Sequence, residues 1–465
     1  MQERGQWGSR LGFILASAGS AVGLGNLWKF PYLAHQNHGG AFVLVYLGAV
    51  LLVGFPIMVA EIVMGRRARR NPVGSFALLA TGRPGGKAWT AVGFLGVVTG
   101  FIILSYYSVV AGWTFHYIVL SLRGELGALA SEPGALQVYF GQIFLGDGVQ
   151  QAGYHLAFMA VTVGAVYFGV KGGIERVSLV LMPALFAILL ALVIYAMTTS
   201  GFRPALAFLF RPSFAELQPS AILAAVGQAF FSLSLGMGCM LTYGSYMKRE
   251  DSIPRSVLEI CCLDTLVGVL ACVVMFSIVF TFDLKVTQSA TILFTTLPTL
   301  LVQLPLGDLA NGLFFVLVAF AALTSTVSML EVVSSYAIDE LGWSRRRATL
   351  TMGVAIAVFG LLSALSLGGV PALSRVNLFG RSSTAGVFSS LDYLAANWLL
   401  PVGGLLIALF VGWFLDPRDT RDELETGRAR LGRSFGLLRF VLRFVSPLAV
   451  GAILFSIIFL GREYQ

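Results

Sequence analysis

Two acids sit where acids are costly. Asp264 lies in "CCLDTLVGVLACVVMF" and Glu61 in "MVAEIVMGR", each inside a long apolar run. A carboxylate in such a run faces a protein interior or a watery cavity and marks an ion or substrate path. Other polar groups gather in two glycine-rich stretches, "AGSAVGLGNLWKFPY" (18–32) and "FFSLSLGMG" (230–238). A helix interrupted there frees backbone groups that lipid cannot satisfy. Freed carbonyls can hold a cation, and freed amides at a half-helix start can hold a carboxylate. The chemistry on offer is non-covalent capture of a small cation beside an anionic group. No Ser/His/Asp or metal constellation sits at a predicted membrane surface, so an enzyme is not expected. His35, His38, His116 and His155 lack zinc spacing, and Cys239, Cys261, Cys262 and Cys272 read as small packing residues in spans.

The elements that must position these groups are membrane helices. The 465 residues are 57% hydrophobic and only 12% charged, about half the charged share of a soluble domain. Apolar runs of bilayer length recur throughout. They segment as 10–35, 41–65, 88–121, 153–170, 174–199, 219–246, 252–281, 307–338, 346–367, 385–414 and 435–460, eleven spans of an all-α membrane protein. The net charge of +8 is spread over alternate loops, around Arg66–Lys87, Lys248–Arg255, Arg345–Arg347 and Arg418–Arg443. That pattern fits a membrane rather than nucleic acid. By the positive-inside rule the N-terminus is cytoplasmic and the C-terminus outside. The first span, opening "QWGSRLGF", lacks a small-residue cleavage site and is not expected to be a signal peptide. The segment "DPRDTRDELETGRARLGR" (416–433) reads as a solvated cytoplasmic connection, and "GALQVYFGQIF" in the outer loop 122–152 as a short surface helix.

The two interruptions fall in the first helix of each of two five-span halves. Paired breaks of this kind point to a transporter of inverted repeats with its site at the bilayer midplane. The halves would be 1–200 (spans 1–5) and 201–415 (spans 6–10), followed by the loop and span 11 in 416–465, all within one transmembrane domain.

"WGSRLGFILASAGSAVGLGNLWKFPY" and "GGAFVLVYLGAVLLVGFPIMVAEIVMGR" closely resemble the start of the neurotransmitter:sodium symporter family, of the bacterial leucine-transporter (LeuT) type. The likeness continues through "LSYYSVVAGW", "FFSLSLGMG", "AALTSTVSMLE" and "LDYLAANWLLPVGG". Within the family the pattern is most similar to transporters of multiple hydrophobic amino acids. The resemblance implies the 5+5 inverted-repeat fold with helices 1 and 6 unwound, and sodium-coupled uptake by alternating access.

It also implies site residues. A first sodium would meet the Ala21 carbonyl, Asn26, Ser232, Asp264 and the carboxylate of the substrate. Many family members have a neutral asparagine at the position of Asp264 and need chloride or another acid nearby. Here the fixed charge is present, Gly268 one turn on adds no acid or hydroxyl, and chloride is not expected to be required. A second sodium would use carbonyls of Gly19, Val22 and Ala321 with the hydroxyls of Thr324 and Ser325, although adjacent hydroxyls in a span can also bond back to their own helix. Gly23 stands where monoamine carriers have an aspartate, so the substrate should bring its own carboxylate. That carboxylate would meet the amides of Leu24 and Gly25 and the Tyr107 hydroxyl, and the ammonium carbonyls around Ala21, Phe231 and Ser232. The side chain would face Ser20, Ile103, Phe231, Ser234, Met237, Ser325 and Met329. Two methionines in a mostly apolar wall suit several hydrophobic side chains.

Gates are implied on both sides. Lys29 and Asp392 match the outer ion pair, with lysine in place of the usual arginine. Tyr107 and Phe231 would form the lid, with Gln228 supporting the vestibule. Arg4 and Asp339 match the inner pair, with Trp7 and Tyr246 beside them. Gly173 and Pro183, with nine residues between them, match a pattern that lets helix 5 unwind toward the second sodium. Glu61 is expected to hold span 2 against the unwound segments. The reading is Na+-driven import of a neutral, hydrophobic amino acid across the inner (plasma) membrane, with two sodium sites and no obligate protein partner. A proton-driven or exchange carrier of the same fold, and a transport-silent amino acid sensor, are the alternatives.

Overall fold

A computed structural model describes residues 5–132, 134–215, 217–282, 292–380, 382–426 and 432–461. Its elements are helices. Among the described residues, eight continuous ones are long and apolar enough to cross a bilayer: α3 (Gly40–Ala68), α5 (Gly86–Leu122), α7 (Val170–Ala196), α10 (Ile253–Thr281), α11 (Gly307–Leu341), α12 (Arg345–Leu365), α13 (Val387–Phe414) and α15 (Arg433–Phe459). A ninth span is a bent pair, α1 (Arg10–Ala21) and α2 (Gly25–Gln36), whose axes differ by 55°. The helix α6 (Gly148–Tyr167) and a second broken pair, α8 (Pro219–Ser232) and α9 (Cys239–Gly244), complete eleven. Between α3 and α5 lies the short α4 (Pro72–Leu79), and between α13 and α15 lies α14 (Pro417–Glu425).

Burial inverts the soluble pattern. Leu51, Leu52, Val180, Ile194, Val354, Val358, Phe455 and Phe459 are exposed, as lipid-facing positions require, while Ser17, Ser20, Asn26, Glu61, Ser105, Ser108 and Asp264 are buried. The apolar windows of α11 and α5 are 78% and 72% buried, against 28% for α7, so α11 and α5 run through the centre.

The two breaks have local causes. α1 stops where Val22 turns extended (φ −69°, ψ 106°), and the chain re-enters helix at Gly25. In the second break Ser234, Gly236 and Gly238 take φ of 53°, 83° and 78°. A methyl on Gly236 would sit 2.4 Å from the Leu400 carbonyl and one on Gly238 2.7 Å from the Pro72 ring. Left-handed φ and close backbone approach together leave glycine as the residue that fits. Ser234 has no such freedom, and its hydroxyl donates to the Ser20 carbonyl at 2.7 Å. Strain of this kind persists where surrounding structure holds it.

The segment 416–433 departs from the expected solvated loop. Its first part is the helix α14, capped by Asp416 accepting from the Arg418 amide, with Thr420, Glu423 and Leu424 buried. Charge density suggested solvent, but Arg66 and Arg67 at the end of α3 pair with Glu423 and Asp419 of this helix. The stretch "GALQVYFGQIF" is helical over Ala135–Val138 and Tyr139–Phe144; Leu136 is buried, and Phe140 and Phe144 are buried in an aromatic cluster with Trp113, Tyr117 and Phe294. Gly173 lies in a π-helical turn, Val170–Ile174, and Pro183 is inside the continuous helix Glu175–Ala196.

Candidate functional site

Both breaks face one cavity. It is lined by Ser20, Ala21, Gly23, Gly25, Ile103, Tyr107, Phe231, Ser232, Ser234, Met237, Ser325 and Met329. Of the expected substrate residues only Leu24 is missing from the wall. Its amide instead donates to the Tyr107 hydroxyl at 3.0 Å. Gly23 takes its place, and a methyl there would lie 2.8 Å from both the Ser325 and the Tyr107 hydroxyl oxygens.

Several groups at the breaks have side-chain partners. The Gly23 amide donates to Asn26 Oδ1 at 3.1 Å. Gln228 donates to the Gly25 carbonyl at 3.1 Å. Glu61 accepts from the Gly236 amide at 2.8 Å and the Leu241 amide at 3.3 Å, so it ties α3 to the unwound part of the second break as expected.

Asp264 forms one wall of a polar nest beside the cavity. Its Oδ1 accepts from Asn26 Nδ2 at 2.8 Å, and the Ser232 hydroxyl lies 2.8 and 2.9 Å from the two carboxylate oxygens. The Tyr46 hydroxyl is 3.2 Å from Oδ2 and 3.3 Å from Ser232 Oγ. The carboxylate is fully buried, and among the described residues no basic side chain pairs with it. A buried charge compensated only by dipoles is expensive. The nest fits a small hard cation taking the place of those donors.

A second cluster joins α1 to α11. Ser325 Oγ lies 3.5, 3.2, 3.4 and 3.3 Å from the carbonyls of Gly19, Ser20, Val22 and Ala321. One hydroxyl proton serves a single acceptor at full strength, so the cluster has a surplus of oxygen lone pairs, which is what a cation needs. Thr324 bonds back to its own helix, donating to the carbonyls of Ala321 at 3.0 Å and Phe320 at 3.1 Å.

On the face opposite the basic loops, Lys29 and Asp392 interact electrostatically, and Lys29 Nζ sits 4.9 Å from the Phe231 ring centre. On the basic face Trp7 is fully buried. Its indole donates to the Tyr243 carbonyl at 3.0 Å and its amide to the Tyr246 carbonyl at 3.2 Å. The Tyr246 hydroxyl donates to Glu331 Oε1 at 2.6 Å, and Arg345 clasps Glu331 with bonds of 2.7 and 2.9 Å. Asp339 accepts from the Asn71 amide at 2.7 Å. Arg4, its expected partner, lies outside the described residues.

Sequence reasoning passed over several of these groups. Glu331 lies in the apolar run of α11, and the rule that singles out Asp264 applies to it equally. Glu175, which accepts from the Gly8 amide at 2.6 Å and the Ser9 amide at 3.0 Å, carried no such signal. Neither did Tyr46, an aromatic among apolar neighbours.

Comparisons with known proteins identify the family. The sequence matches the profile of the sodium:neurotransmitter symporter family over residues 4–131 and 139–464. It is 38% identical over 457 residues to the uncharacterized sodium-dependent transporter YhdH of Bacillus subtilis, covering 97% of both chains. An uncharacterized sodium-dependent transporter of Haemophilus influenzae is 31% identical over 98% of this chain and 99% of its own. The crystal structure of MhsT in complex with L-phenylalanine superposes with a TM-score of 0.86 at 40% identity, over 97% of this chain and 99% of that one. The protein is thus a multi-pass membrane transporter, not an enzyme, with an all-helical LeuT-type fold; broken helices around a buried acid and whole-length matches together place it in the sodium:neurotransmitter symporter family.

Proposed function

We propose that this sodium-dependent transporter imports neutral, hydrophobic α-amino acids, binds two Na+ ions and does not need chloride. The observation that carries the reading is the position of Asp264. It is a buried carboxylate held by dipoles alone, with no basic partner among the described residues, beside a cavity whose wall is mostly apolar. A sodium ion held by Asp264, Asn26, Ser232 and the Ala21 carbonyl would adjoin the cavity, where a substrate carboxylate completes its shell. Each ligand then raises affinity for the other by the same factor. The second ion belongs among the oxygens of Gly19, Val22, Ala321, Thr324 and Ser325.

Gly23 supports a substrate with its own carboxylate, because the wall offers no acid at that position. Met237, Met329, Ile103 and Phe231 support an apolar side chain, and MhsT, crystallised with L-phenylalanine, supports the same class. Asp264 supports chloride independence by supplying the fixed charge beside the first sodium. The basic loops support a cytoplasmic N-terminus, an outer C-terminus and an inner-membrane location. In that orientation Lys29–Asp392, Tyr107 and Phe231 close the outer route. Trp7, Tyr246, Asp339 and Arg4 close the inner one, and Gly173 and Pro183 loosen α7 when the second sodium leaves.

The test is uptake of labelled leucine and tryptophan into proteoliposomes, with an inward Na+ gradient against K+, in chloride and in gluconate. Uptake that needs Na+ and ignores chloride is expected. Equal uptake in K+ would favour a proton-driven or exchange carrier in which Asp264 titrates. Binding without uptake would favour a sensor.

A further inference from the structure

Arg66, at the end of α3, belongs to no step of the proposed cycle, yet its side chain is 0% exposed and that of its partner Glu423 only 5%. Its Nε donates to Glu423 Oε1 at 2.5 Å and its Nη2 to the Glu423 carbonyl. Its Nη1 donates to the Asp251 carbonyl at 2.5 Å. Arg67 donates to Asp419 Oδ1, and Arg83 lies 3.8 Å from Asp419 Oδ2 while donating to the Phe414 carbonyl. One guanidinium therefore joins the end of α3, the turn that follows α9, and α14.

Burying both ions costs them their hydration. A helix as charged as α14 could have stayed in water. A buried pair with its donors and acceptors filled fixes one arrangement, and the arrangement fixed here is the position of α9. α3 and α9 touch backbone to backbone: a methyl on Gly65 would lie 1.9 Å from the Leu241 carbonyl oxygen, and one on Gly244 2.8 Å from Ile62 Cα. Glu61 adds its bonds to the Gly236 and Leu241 amides. α9 and the residues after it supply the Tyr243 and Tyr246 carbonyls on which Trp7 is seated. When Trp7 and α1 move away to open the inner route, the surface they leave must stay in place for them to return to.

We propose that Arg66, acting through Glu423 and the Asp251 carbonyl, is a positioning residue for transport that holds α9 as the stationary side of the inner gate. The proposal rests on the inner-gate reading of Trp7 and Tyr246. Weakening the knot lets α9 drift from Trp7 and raises the fraction of molecules open to the cytoplasm.

The experiment uses the full chain with a Tyr243→Cys reporter, since Tyr243 lies under the Trp7 ring at 5.1 Å between centroids. Labelling by a membrane-impermeant maleimide from the cytoplasmic side is followed with and without Na+. A matched chain without the reporter corrects for Cys239, Cys261, Cys262 and Cys272. In Arg66→Lys and Glu423→Gln, labelling at saturating Na+ should be faster than in the parent by about threefold or more, a shift in the open population of the same factor. Substrate binding capacity should be kept. Unchanged labelling in a variant that still binds substrate overturns the proposal. Parent labelling that ignores Na+ overturns the inner-gate reading and removes the proposal with it. If the single variants do not fold, the double variant Arg66→Gln, Glu423→Gln, which removes both buried charges together, carries the test. Faster labelling then supports the knot, and unchanged labelling overturns it.

Discussion

The Tyr46 hydroxyl lies 3.2 Å from Oδ2 of Asp264, reaching from α3 to α10 across the polar nest. The same hydroxyl is 3.3 Å from Ser232 Oγ, so α3, the end of α8 and α10 meet on one carboxylate. If Asp264 is a cation ligand, Tyr46 orients it and Asn26 closes the other side.

Asp264→Asn should therefore weaken Na+ use more than Tyr46→Phe. The concentration of Na+ for half-maximal uptake should rise by about tenfold or more in Asp264→Asn, a loss of at least about 1.4 kcal/mol. Tyr46→Phe removes one hydrogen bond worth about 1 kcal/mol and should give a rise of about fivefold. Sodium titrations of uptake at fixed substrate measure both. An unchanged titration in Asp264→Asn would remove the first sodium site.

At the second cluster the two hydroxyls are not equivalent. Ser325 stands among carbonyls of α1 and α11, whereas Thr324 is bonded to its own helix. Removing Ser325 Oγ should raise the Na+ requirement by about tenfold, and removing Thr324 Oγ1 by about threefold or less, the scale of one modest polar contact. The reverse order, in the same titrations of Ser325→Ala and Thr324→Ala, would mean that Thr324 leaves its helix to bind the ion.

The helix breaks were legible because glycines and serines crowded into an apolar run weaken a helix where lipid cannot satisfy the backbone groups it would release. Asp264 was legible because an acid in a span is rare. Tyr46 was not, since an aromatic in "FVLVYLGAV" reads as packing, and only the fold brings it to Asp264. The solvated reading of α14 failed for a similar reason: its acids look free until Arg66 and Arg67, distant in the chain, fold onto them. The π-helical turns, such as Gly25–Lys29 and Ala395–Leu399, keep the periodicity of a span and carry no pattern that separates them from α-helix.

Gly23 sets the room left at the centre of the cavity. A methyl there meets the Ser325 and Tyr107 oxygens at 2.8 Å, closer than side-chain carbons normally approach. Forcing an extra carbon into a packed site costs about 1–3 kcal/mol. Gly23→Ala should lower affinity for labelled amino acid by about tenfold or more at saturating Na+, with the folded fraction unchanged by size-exclusion chromatography. Retained affinity would mean that Tyr107 and Ser325 move freely to make room, and that Gly23 does not set the space for the substrate.

Glu331 and Arg345 give the last prediction. Glu331 is fully buried, Arg345 is 27% exposed, and the pair shares two bonds plus the Tyr246 hydroxyl. Arg345→Ala strands a buried carboxylate, and breaking such a pair from one side costs about 3–5 kcal/mol. The Tm in detergent should fall clearly. Arg345→Lys keeps the charge but loses the fork, and its Tm should lie between. The double variant Glu331→Gln, Arg345→Ala removes both charges and should recover much of the loss. If the double variant is no more stable than Arg345→Ala, the cost lies in lost packing at Arg345, and the Tyr246 contact to Glu331 does not depend on the ion pair.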